Sequence, residues 1–197
     1  MRPLRLLALL LCVSTLALAA SGCGGGGGGG TSYSGTKPDA WAATVCGALA
    51  DWARGLKADS DRLSSDLSGA SDLNTVKTKF VAFLQNAERS SGIMVTEIKG
   101  AGAPAVKDGA AIQRELVSEL NGAEASFTHA IVKAKKLPTT DSQAFGAGVS
   151  SLGKEVEAEL TATSERFNTL GERYDDDSLN EATSKEPACT SLSTSAS

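Results

Sequence analysis

Thiols, one imidazole and two acidic groupings are the parts of this 197-residue chain able to do chemistry. The cysteines are Cys12, Cys23, Cys46 and Cys189; the one histidine is His129. A nucleophilic cysteine needs a base beside it, and none is identifiable near Cys46 or Cys189 in sequence. One histidine cannot build a two-histidine zinc or di-iron site, and the paired Glu-x-x-His pattern of helical di-iron proteins is absent. His129 falls between the apolar positions Phe127 and Ala130 and reads as a surface residue. Asp175, Asp176 and Asp177 form the densest acidic run. A calcium loop needs oxygen ligands at alternating positions and a glycine for its turn. Here Leu179 stands where a third ligand is needed and Asn180 where the glycine belongs, so the run reads as a solvated helix end. Glu155 and Glu159 share one face at helical spacing and Glu157 points away; with Lys154 and Arg166 beside them they read as charged outer surface. Phosphate loops, nucleophile elbows, zinc spacings and basic aromatic patches are missing. The sequence therefore predicts no catalytic residue, no metal ligand and no cofactor.

The remaining chemistry belongs to Cys23. Arg2 and Arg5 form a short basic start, and an uncharged run rich in Leu, Ala and Val follows from Leu6 to Ala20. That run is short of the roughly 20 residues a spanning helix needs, and small residues close it. This is the layout of a secretory signal peptide, predicted over residues 1–22. The stretch Leu18-Ala19-Ala20-Ser21-Gly22-Cys23 resembles a bacterial lipobox, with Ala20 where leucine is commoner. The resemblance covers the first 23 residues alone. It implies cleavage before Cys23, diacylation of its sulfur and a lipid anchor on the outer face of the cell membrane. Two acyl chains suffice for stable anchoring, whereas one is marginal. Gly24 to Gly30 and the residues up to Lys37 read as a flexible tether over 23–37, spanning roughly 20 Å on average.

Export fixes the outlook for the other thiols. Cys12 departs with the signal. Cys46 and Cys189 remain in an oxidising compartment, where thiols tend to pair, and a Cys46–Cys189 disulfide is expected; two separate buried thiols are the other reading. Losing Arg2 and Arg5 moves the formal charge from −4 to −6. An acidic chain disfavours nucleic acid and gains no pull from anionic lipid, so the lipid would be the membrane link.

Positioning falls to helices. Alternating strand patterns are nearly absent, and Gly and Pro divide the chain into four long periodic stretches. The first opens near Thr36-Lys37-Pro38-Asp39 with Thr36 as its expected cap, and carries Trp41, Val45, Ala48, Trp52, Leu56, Leu63 and Leu67 on one face. The second starts near Asp72 and the third after Pro104. The fourth, capped near Thr140 or Asp141, keeps the most regular repeat, from Phe145 and Val149 through Leu160 to Tyr174. Such seams want partner helices. The expected fold is all-α: an up-down-up-down four-helix bundle over residues 38–192, with a short fifth helix from a capping box at Ser178 and a disordered tail over 193–197. An even number of antiparallel helices brings the last end beside the first, which favours the disulfide and places the tether at that same end.

Trp41 and Trp52 lie eleven residues apart, about three turns, on one face. Such a stripe is core, or it lines a pocket for an apolar ligand. Gly146, Gly148, Gly153 and Gly171 in the fourth stretch give a loosely packed interior some physical basis. The Ala/Gly-rich helices with a cysteine near each end resemble small actinobacterial lipoproteins, a likeness that carries no activity. The leading expectation is a non-enzymatic lipoprotein that offers a surface to an envelope protein partner; the second is a carrier or sensor of a small apolar ligand held between helices.

Overall fold

Aspartate caps, prolines and glycines cut the apolar repeats into six helices in the computed structural model, which describes residues 33–70 and 72–195. They are α1 (Pro38–Ser68), α2 (Leu73–Ala101), α3 (Gly109–Lys135), α4 (Ser142–Arg173), α5 (Asp177–Lys185) and α6 (Pro187–Ser195). No strand occurs among the described residues, and no helix there is long and apolar enough to cross a membrane. The signal, Cys23 and most of the tether lie outside the described residues, as do the last two positions of the expected tail.

The starts follow from orphan N–H groups that need acceptors. The Asp72 carboxylate takes the Thr75 N–H at 2.9 Å and the Thr75 hydroxyl at 2.7 Å, and these bonds hold its pKa below the usual range. Asp141 accepts from the N–H groups of Gln143 and Ala144 to open α4. Asp176 does the same for α5 through Ser178 and Leu179. The expected box at Ser178 therefore starts two residues early, because a carboxylate already sits in the capping position. Lys37 precedes α1 without a side-chain cap. Pro38 lacks the N–H that would need one. Gly92 leaves α2 unbroken.

Consecutive long helices pack antiparallel as an all-α bundle. One core cluster joins Trp41, Val45 and Ala48 of α1 to Met94, Val95 and Ile98 of α2 and to Ile112, Leu116 and Leu120 of α3. Phe167, Leu170 and Tyr174 at the far end of α4 pack on it. The second cluster joins the start of α2 to Phe127, Ile131 and Leu137 of α3 and to Phe145 and Leu152 of α4. Trp52 and its neighbours touch both clusters. Only one side is loose: α1 runs along α2, α2 along α3 and α3 along α4, while the backbones of α1 and α4 stay apart and meet through long side chains. Along α4 only Phe145, Leu152 and Thr163 are fully buried, so its long repeat is half-used. The short α5 and α6 fold back against α1.

Candidate functional site

The base of the bundle gathers Thr36, Trp41 and the Cys46–Cys189 pair. Gly35 has φ +148°, and a Cβ there would lie 2.4 Å from the Ala103 carbonyl oxygen, so only glycine lets the chain approach so closely. Thr36 then forms a parallel bridge with Pro104, its N–H donating to Ala103 O at 2.8 Å and its carbonyl accepting from the Ala105 N–H at 2.7 Å. The Thr36 hydroxyl donates to Ala101 O at 2.5 Å. Thr36 thus closes the end of α2 rather than capping α1, and the segment read as tether is bound to the bundle from this residue onward.

Trp41 completes the same closure. Its indole N–H is shared between Gly102 O at 3.1 Å and Gln113 Oε1 at 2.9 Å, and the Gln113 amide donates to Ile98 O at 2.6 Å. Three carbonyls orphaned at the end of α2 are satisfied by side chains from Thr36 in the strap that precedes α1, from α1 and from α3. Trp52 stands higher, donating from Nε1 to the buried Ser91 hydroxyl at 3.0 Å, and Ser91 donates to Ala87 O at 2.8 Å. Both indoles are committed to protein acceptors inside the core.

Cys46, two turns into α1, is joined to Cys189 of α6 with a Cα–Cα distance of 5.0 Å. The bridge fixes the chain's last helix to its first. Thr36, the Trp41 indole and the disulfide all lie at the end where α1 begins.

The acidic groups have structural work. Asp175 accepts from the Asn180 amide at 2.7 Å, Asp176 caps α5 and Asp177 is its first residue. Among the described residues no group of three His, Cys, Asp or Glu side chains is placed to hold a metal.

A second place assembles what the sequence left apart. Glu155 of α4 pairs with Lys133 of α3, Arg166 with Glu119, and Arg173 with Glu115 at 2.7 Å. The Lys133 hydrogen bond holds the Glu155 carboxyl below its usual range. Tyr174 donates its hydroxyl to Glu115 at 2.7 Å; that bond, with burial and the carboxylate's charge, pushes the phenol up. Midway along this seam a depression of about 410 Å³ is lined by Ser126, His129 and Lys133 from α3 and by Leu152, Glu155 and Glu159 from α4. Neither Trp41 nor Trp52 lines it. Gly146, Gly153 and Gly171 face open space rather than an interior cavity, and Gly148 meets a Leu137 methyl. Each helix alone gave Glu155, Glu159 and His129 as surface residues. Their meeting depends on the α3–α4 register, and the signal for it was the matched charges at Lys133/Glu155 and Glu115/Arg173.

No family model, no curated protein and no solved structure matches the chain.

Proposed function

We propose that the chain is a lipoprotein held by acylated Cys23 on the outer face of a bacterial cell membrane. Its helical bundle is a non-enzymatic module that presents a surface to an envelope protein. The observation that carries this reading is the Cys46–Cys189 bridge. Disulfides persist in oxidising compartments, which supports export. With Cys12 lost alongside the signal, the bridge leaves Cys23 as the odd thiol of residues 23–197, and an odd cysteine in an exported chain calls for its own chemistry. The lipobox-like stretch supplies that chemistry. The strap at Thr36 supports an end-on stance, because it ties the chain ahead of α1 to the base, while α1 and α3 end at the opposite end of the bundle.

A binding role is favoured over a reaction because the polar constellations already serve the fold as caps, interhelix pairs and carbonyl closures. The experiment is intact-mass spectrometry and detergent phase partition of protein from a bacterial host that acylates lipoproteins. The wild-type chain should carry two or three acyl groups and enter the detergent phase; Cys23→Ala should lose the added mass and move to the aqueous phase. A wild-type mass without fatty acid would overturn the anchor. Crosslinking from intact cells with both forms then asks whether partner capture depends on it.

A further inference from the structure

The α3–α4 seam contains one rung that is not filled, and the geometry points to a pH-sensitive latch: protonated His129 pairs with Glu159 and draws α4 onto α3. Three observations lead there. First, the two helices are antiparallel and register-matched by the Lys133–Glu155 and Glu115–Arg173 pairs. Stepping one turn down α3 from Lys133 to His129 steps one turn up α4 from Glu155 to Glu159. Both residues line the same depression. Second, among the described residues neither His129 nor Glu159 has an ion pair or hydrogen bond, whereas the rungs on both sides are made. Third, this seam matters more than others to α4, which has few fully buried residues and lies along α3 but not along α1.

The charged groups around the imidazole decide the sign. Lys133, one turn away on α3, is neutralised by Glu155, and Glu88 of α2 is held by the Thr128 hydroxyl at 2.6 Å on the other flank of α3. Glu159 is the carboxylate left to answer a new cation. An imidazole is the side chain that gains a positive charge in mild acid. The attraction is therefore an acid-side one and is lost when the ring is neutral. The paired side chains would close over the depression that they line.

The test is hydrogen exchange of α4 amides in the full chain at pH 5.5 and 7.5, corrected for intrinsic rates. An exposed pair adds modest stability, so wild-type protection across residues 146–160 should rise about two- to fivefold in acid relative to the α2 amides. Glu159→Gln and His129→Gln should remove the pH difference while leaving helicity at pH 7.5 unchanged. His129→Lys, charged at both pH values, should hold the protected state at both. Equal pH dependence in wild type and Glu159→Gln, or a His129→Lys chain that still responds to pH like wild type, would overturn the latch. Neither result bears on acylation of Cys23, so the two proposals fail separately.

Discussion

At the scale of single residues, the tryptophans show why a polar handle decides what an aromatic stripe becomes. An indole buried in a core must place its N–H on an acceptor. Trp52 meets that need through Ser91, a hydroxyl nearly sealed from solvent at 1% exposure. Replacing Ser91 by Ala leaves a donor without its partner while changing little volume. We expect a loss of about 1–3 kcal/mol in the free energy of unfolding, read from urea midpoints at unchanged slope. Ser91→Ala with wild-type stability would mean that Trp52 finds another acceptor. Thr36 carries a related lesson. Its type and place next to Lys37-Pro38 suited an N-cap, yet its hydroxyl bonds to Ala101 O, 65 residues away. A cap is a local pattern, and a carbonyl orphaned at another helix's end competes for the same hydroxyl without leaving any trace nearby in sequence.

At the scale of elements, the four long helices were legible because each carries a 3.6-residue apolar repeat between strong stops, and proximity in sequence forces antiparallel neighbours. What the repeats did not reveal is how deeply each is used. The stripe of α4 is the most regular in the chain, yet Val149, Val156 and Leu160 stay half-buried because no helix backbone closes on it from the α1 side. Regularity measures fitness for a seam; burial depends on how many neighbours arrive. The two helices should therefore differ in sensitivity to truncation. Phe127 of α3, 2% exposed, sits within the second cluster. Phe127→Ala should cost about 3–5 kcal/mol, in the range for a well-packed phenylalanine. Leu160→Ala on α4 should cost clearly less, and thermal melts of both variants against wild type would show the order. Equal losses would mean that α4 is buried as deeply in solution as α3. The sixth helix was not anticipated at all: Pro187-Ala-Cys189 has too little apolar content to announce a helix, and it is held from outside by a covalent bond.

At the scale of the whole molecule, one end of the bundle is cross-tied more heavily than the rest. The strap, the α2 closure around Trp41 and the Cys46–Cys189 bridge converge there. The disulfide was legible from parity and from the rule that an even helix count returns the chain to its start; the strap was not, since glycine and threonine before a helix say nothing about a loop far along the chain. The bridge spans 143 residues of sequence. Cross-linking over so long a loop restricts the unfolded chain, which in the entropic picture stabilises the fold by about 5 kcal/mol, with typical losses on removal of about 2–5. The double variant Cys46→Ser, Cys189→Ser should accordingly melt about 10 °C lower in calorimetry. The effect should also be local. A helix of nine residues is marginal by itself. Without the bridge α6 loses its covalent hold on α1, against which Ala188 and Leu192 are half-buried. Limited proteolysis should then cut the double variant first around residues 186–192, while α2 and α3 stay intact and the bundle stays folded at 25 °C. A variant that melts with wild type and resists cleavage there would place the hold on α6 in its packing rather than in its bridge.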